Sequence, residues 1–200
     1  MLVKRLNMFG RLYNSHIFFI LNKVNYLMYD IQLLYMKVSN AEEFHEACQD
    51  RKVINLQANI DLSQKGPYKI WSNMKLEGNG HTITTNKPIF EVNKNEIRNV
   101  TIQADIEAKG EFTIGGLVNT NDGLIVNCTV KGRVEADSQV GGIVGINSSF
   151  GSDNGEIKNC TSEATVTGDE KYGGIVGVNK NSENAIDNCT SNQKSIGKQE

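Results

Sequence analysis

The chain has 200 residues, 22% of them charged, with 19 glycines, 2 prolines and a formal charge of −2. That length suits one domain, and the glycine excess suits a turn-rich all-β chain. The charge is uneven: residues 99–193 hold six basic and thirteen acidic side chains, a net of −7, which argues against direct nucleic-acid binding and permits a protein partner with a basic surface, beside the plainer reading of a solvated acidic face.

Residues 1–35 contain no alanine, no glutamate and one glycine. Their longest apolar run, Ile17-Phe18-Phe19-Ile20-Leu21, is five residues, too short for a secretory core or a membrane span. Either this is a poorly formed export segment, or the native product begins at Met36 and residues 1–35 are disordered or no part of it. The second reading is favoured. It implies a cytoplasmic protein, with an extracellular or cell-surface one as the alternative.

Residues 36–52 read as an N-terminal capping helix. Ser39-Asn40-Ala41-Glu42 has the capping-box form, with Ser39 as N-cap and Glu42 reaching back. Phe44, Ala47 and Cys48 share one helical face, suited to plugging the end of a sheet array. His45-Glu46 is no zinc-peptidase motif, because Gln49 stands where the second histidine is needed. Strands follow at Val53–Leu56 and Ile60–Leu62, with a turn at Gly66-Pro67. Gly78 and Gly80 predict positive φ in the next turn, which His81 packs against or caps. Pro88–Asn93 stands where a degenerate Gly-Gly-Ile-Val phrase would fall.

The remainder is repetitive. Ile97-Arg98-Asn99-Val100-Thr101 recurs as Ile125–Thr129, Ile157–Thr161 and Ile186–Thr190, at spacings of 28, 32 and 29 residues. A second phrase travels with it: Gly115-Gly116-Leu117-Val118, Gly141–Asn147 and Gly173–Asn179. Strand-like phrases at a period near 30 mark a solenoid whose units bury their apolar faces against each other. Alternation points Val100, Ile102, Ala104, Ile106 and Ala108 inward, then Val130, Gly132, Val134 and Ala136, then Ser162, Ala164 and Val166. The three-step interval from Ile157 to Cys160 breaks the alternation, so Asn159 must bend the chain. Asn99, Asn127, Asn159 and Asn188 would then stack as a ladder with left-handed backbone. Cys128, Cys160 and Cys189 share a slot with Val100, which predicts reduced core cysteines. The fold expected over residues 53–193 is a short right-handed parallel β-helix, all-β apart from the capping helix, with residues 194–200 as a polar tail.

The phrase Gly-Gly-Ile-Val-Gly-x-Asn followed by Ile-x-Asn-Cys-Thr, from about Gly115 to Cys189, resembles the GLUG motif of bacterial surface adhesins and of the non-catalytic β-helical part of immunoglobulin-A-cleaving peptidases. The first copy departs from it, with Asn119 in place of Gly145 and Gly177. The resemblance implies a solenoid that presents a binding surface.

Candidate contacts sit in loops and on the outward face. The longest inserted loop, Ser148–Gly155, carries Phe150 and Asp153. Asp153-Asn154-Gly155 lacks the twelve-residue calcium-loop pattern, so no metal is expected, and no cofactor is implied. Asp105, Glu107, Glu135, Asp137 and Glu163 face outward on successive coils. They could serve a polysaccharide-acting enzyme, but no adjacent Asp-Asp pair appears, no histidine lies beyond His81 and no Arg-Ile-Lys phrase occurs. Thr101, Thr129, Thr161 and Thr190 would form a flat hydroxyl ladder. A non-catalytic binding protein is therefore expected. One form is a phage- or mobile-element-encoded inhibitor, such as an anti-CRISPR, docking on a basic host nucleic-acid-binding protein. The alternative is a fragment of a surface adhesin binding host or glycan ligands. Oligomers could form through the C-terminal end.

Overall fold

A computed structural model describes residues 35–150, 153–181 and 185–192. The described residues from Met36 onward belong to one compact unit, separate from the residues before them. That unit is a parallel β-helix.

The first two coils visit three sheets in turn, A, B and D, and the later ones add the short sheet C between B and D. Sheet A holds Val53–Leu56, Lys75–Glu77, Glu96–Arg98, Leu124–Val126, Glu156–Lys158 and Ile186–Asp187, with Tyr35–Val38 at its edge. Sheet B holds Ile60–Asp61, Thr82–Thr85, Thr101–Ala108, Thr129–Ala136, Thr161–Thr167 and Thr190–Ser191. Sheet C is short: Ile114–Gly115, Val140–Gly141 and Tyr172–Gly173. Sheet D holds Tyr68–Ile70, Phe90–Asn93, Val118–Asn121, Val144–Asn147 and Val176–Asn179. Coil-to-coil pairing from Val53 onward is parallel and, apart from a register shift between Tyr68 and Lys69, in register, with Thr101 beside Thr129 and Thr129 beside Thr161.

The inward columns follow the strand period of two. Val100, Ile102, Ala104 and Ile106 are buried, as are Cys128, Val130, Val134 and Ala136, and Cys160, Ser162, Ala164 and Val166. Two expected members depart. Ala108 is half-buried, and Gly132 takes φ +98 with its backbone against the Ala104 carbonyl. The cysteines are free thiols. Cys128 Sγ donates to Val126 O at 3.3 Å, and Cys160 Sγ to Lys158 O at 3.1 Å. The hydrogen bond with the neighbouring Cys128, helped by burial, pushes the Cys160 thiol up to about 12.

The paired glycines mark the tightest approach. A Cβ at Gly141 would collide with the Val144 carbonyl, and one at Gly142 with the Gly174 carbonyl and the Ser162 hydroxyl. These residues let the chain turn sharply from sheet C into sheet D while the next coil lies directly against it. Ser162 beneath them is buried, and its hydroxyl finds no hydrogen-bond partner. Replacing Ser162 with alanine should therefore raise the unfolding free energy by about 1 kcal/mol, read as a higher midpoint in a denaturant melt.

Asn99, Asn127, Asn159 and Asn188 adopt φ of 54°, 54°, 52° and 50°, and Asn79 adds a fifth left-handed position at 51°. Asn127 Nδ2 donates to Asn99 Oδ1 at 3.1 Å, and Asn188 Nδ2 to Asn159 Oδ1 at 2.7 Å. This ladder lies on the outside of the bend between sheets A and B. A second ladder is buried, at the bend between sheets D and A. Asn93 Nδ2 donates to Asn121 Oδ1 at 2.8 Å, Asn121 Nδ2 to Asn147 Oδ1 at 2.9 Å, and Asn147 Nδ2 to Asn179 Oδ1 at 3.1 Å. The first three of these asparagines are 0% exposed.

The helix α1 spans Ala41–Gln49 and buries Phe44, Ala47 and Cys48 over the first coil. Its cap differs from the expected one by a residue. Asn40, not Ser39, is the N-cap, and its side chain accepts from Glu43 N at 2.9 Å. Glu43, not Glu42, reaches back, to Ser39 N at 2.7 Å. Glu42 instead pairs with Lys65 at 2.9 Å. Asparagine and serine cap equally well, so adjacent candidates left the choice to the geometry of the preceding strand. In the turn after Glu77, only Gly80 of the two glycines has positive φ. Gly78 is needed for space, because a Cβ there would meet Val100 Cβ at 2.5 Å.

Candidate functional site

The outward face of sheet B gathers most of the acidic side chains singled out above. Register places Asp105 beside Arg133, Glu107 beside Glu135, and Lys131 beside Glu163. Arg133 sits at the centre. Its Nε contacts Asp105 at 3.1 Å, its Nη2 Glu107 at 3.4 Å and its Nη1 Glu135 at 3.3 Å. Lys109 contacts Glu107 at 3.1 Å, and Lys131 contacts Glu163 at 3.1 Å. Lys109, with Arg133, holds the Glu107 carboxyl below the usual carboxylate range. These four acids are thus partnered within the face. They present a mixed ionic lattice, each pair of which contributes little to stability.

Asp137 lies elsewhere, at the corner where sheet B turns into sheet C. Three successive loops stack there. Asp137 N donates to Glu111 O at 3.2 Å, and Asp169 N donates to Asp137 O at 2.9 Å. Glu111, Asp137 and Asp169 therefore form one column of carboxylates, a strand spacing of roughly 4.8 Å apart. The next column is Phe112, Ser138 and Glu170, in which the Ser138 hydroxyl donates to Glu170 at 3.2 Å. Asp137 also accepts from Gly110 N at 3.2 Å, which fixes the first loop. Among the described residues, the ion pairs of this region reach Glu107, Glu135 and Glu163 but not Glu111, Asp137, Asp169 or Glu170. Lys171 adds one exposed cation at the rim. A shallow cavity of 270 Å³ opens between Lys109, Gly110, Glu135, Asp137, Thr167 and Asp169.

Phe112 stands beside this column and is 67% exposed. Large aromatic side chains left in water on an ordered loop are candidate anchors for a partner. The sequence carried a signal for it, since Phe112 interrupts the polar turn Lys109-Gly110-Glu111 just before a glycine pair.

Phe150 and Asp153 belong to a different bend. Ser149–Phe150 pairs antiparallel with Asp153–Asn154 in a small hairpin, closed by Gly155 N donating to Ser148 O at 2.9 Å. The hairpin leaves the bend between sheets D and A, next to the buried asparagine ladder. It is not on the acidic corner, and the side chains of Phe150 and Asp153 lie outside the described residues. Thr101, Thr129, Thr161 and Thr190 do align in one column, with Thr161 and Thr190 hydroxyls 3.2 Å apart.

Comparison with known proteins agrees with this architecture. The family model described as the GLUG motif matches residues 136–167, which run from the acidic corner loop through the paired glycines to the end of the next sheet B strand. None of the curated proteins matches the chain. A solved structure from Bacteroides ovatus, described as "a putative immunoglobulin A1 protease", superimposes with a TM-score of 0.57 at 22% identity over 78% of this chain. The match spans 66% of that protein's solved chain. At that identity the likeness is one of fold. The chain is a parallel β-helix that carries the GLUG motif.

Proposed function

We propose that this β-helix is a non-catalytic protein-binding module whose partner presents an apolar pocket rimmed by basic side chains. The observation that carries the reading is the unneutralised column Glu111, Asp137, Asp169 beside the exposed Phe112. An aromatic anchor supplies affinity, while a surrounding acidic rim steers a cationic partner and fixes its register. The acids that could have formed a hydrolytic pair support the non-catalytic reading. Glu107 and Glu135 share one guanidinium rather than facing an open cleft.

The test uses the immobilised chain with partners drawn from cell extract, each then purified and titrated. Phe112→Ala should weaken a specific partner by about 30-fold, and Asp169→Lys should weaken it further and flatten its salt dependence. Neither change should shift the melting temperature, since both side chains are exposed. Partners bound equally by both variants would overturn the assignment of the corner.

A further inference from the structure

The outer asparagine ladder carries a pattern that its backbone role does not explain. A left-handed bend accounts for Asn99, Asn127, Asn159 and Asn188. Each is also followed, two residues on, by threonine: Asn-Val-Thr at 99–101, and Asn-Cys-Thr at 127–129, 159–161 and 188–190. Facing outward does not demand threonine, since the next outward column holds Gln103, Lys131 and Glu163. Asn-x-Ser/Thr without an intervening proline is the acceptor sequence for N-linked glycans, and the hydroxyl two residues on is part of what is recognised. A fifth copy of the pattern, Asn147-Ser148-Ser149, is closed to an enzyme because Asn147 is 0% exposed.

The four outer asparagines differ in what holds the amide nitrogen. Asn99 is half-buried, and its Nδ2 donates to Glu77 Oε1 at 3.0 Å and Oε2 at 3.2 Å. Asn127 Nδ2 is held by Asn99 Oδ1, and Asn188 Nδ2 by Asn159 Oδ1. Asn159 is exposed, and among the described residues its Nδ2 has no hydrogen-bond partner. Its ladder bond enters through Oδ1, which a substituent on Nδ2 leaves in place. The next coil, Ile186–Asp187 and Thr190–Ser191, is stacked on its flanking strands, so Asn159 does not owe its exposure to a missing neighbour.

We propose that Asn159 is an N-glycosylation site, modified by a glycosyltransferase that uses a sugar activated as a diphosphate ester. The bond from Nδ2 to the sugar C1 forms as the C1–O bond to the diphosphate breaks. Nδ2 loses one proton, and the diphosphate leaves. Neighbouring asparagines stand one coil away, roughly 4.8 Å, too close for a second sugar, so the ladder carries one glycan. This inference is independent of the corner described above.

Mass spectrometry of the full chain recovered from the cells that encode it, intact and as the peptide bearing Asn159, is the test. The expected result is one glycan per chain, attached to Asn159, and an amidase that releases N-linked glycans should leave aspartate there. Two variants made in the same cells separate recognition from folding. Thr161→Val keeps a β-branched side chain in the strand and removes the hydroxyl, so it should lose the glycan while melting as the deglycosylated native chain does. Thr161→Ser keeps the hydroxyl and should stay glycosylated. A bare Asn159 in the native chain overturns the proposal. So would a glycan on Asn127 with Asn159 bare, or one that survives Thr161→Val.

Discussion

Replacing Asn121 with leucine is expected to lower the unfolding free energy by roughly 3–5 kcal/mol, a large share of a typical domain's stability. Asn121 is 0% exposed and sits mid-ladder. Its Oδ1 accepts from Asn93, and its Nδ2 donates to Asn147 Oδ1 at 2.9 Å and to the Gly123 carbonyl at 2.9 Å. Leucine has similar bulk, so the loss is not a cavity. It strands a donor on Asn93 and an acceptor on Asn147, both away from water, and each stranded group costs about 1–3 kcal/mol. The outer ladder supplies the control. Asn127 is exposed and its amide can turn to water, so Asn127→Ala should cost only about 1–2 kcal/mol, mostly for the left-handed backbone at φ 54°. Denaturant melts of the two variants check the ranking. Equal losses would mean that the buried amides contribute no more than the solvated ones.

Cys160→Asp is expected to abolish folding at neutral pH. The side chain is 1% exposed, between the neighbouring thiols, and points at the Lys158 and Ile125 carbonyls. A carboxylate there loses its hydration and meets two carbonyl oxygens, with the Cys128 N–H 3.4 Å from the sulfur and the weak Cys189 thiol as donors. The cost exceeds about 4 kcal/mol. Its pH dependence has a definite sign. Burial raises the folded-state pKa of the introduced acid above its unfolded value near 3.9, so the penalty grows as pH rises through that value and fades below it. The variant should thus regain part of its stability near pH 4. Cys160→Val should stay within about 1.5 kcal/mol of the native chain, because Val100 fills the same slot two turns of the repeat earlier. Circular dichroism melts at pH 4 and pH 7 read both outcomes. An unchanged melting temperature for the aspartate would remove this side chain from the core.

The phase of the strands was legible because side chains alternate and three copies agree on which residues are apolar. The outer bend was legible too, since asparagine at Asn99, Asn127, Asn159 and Asn188 is the residue that tolerates a left-handed step. The inner ladder was in plain view at Asn93, Asn147 and Asn179 but reads as part of the glycine phrase. An asparagine inside a phrase of Ile and Val carries no sign of whether it faces water or the core. The pairing of acids was harder. Asp105 and Arg133 stand 28 residues apart, and only coil-to-coil register turns that interval into contact. The corner escaped for the same reason, because Glu111, Asp137 and Asp169 fall in loops outside the repeated phrases. Phe150 drew attention as an aromatic in the longest insertion, whereas the most exposed aromatic among the described residues is Phe112, ahead of Tyr35.

The central claim is that recognition happens at the corner between sheets B and C. Hydrogen exchange of the chain, alone and bound to a purified partner, tests it most directly. Slowed exchange in residues 109–113, 137–139 and 168–171, lost in the Phe112→Ala chain, is the predicted result. Protection confined to the hairpin at 149–154, with the corner unchanged, would contradict it and move the binding surface to the opposite bend.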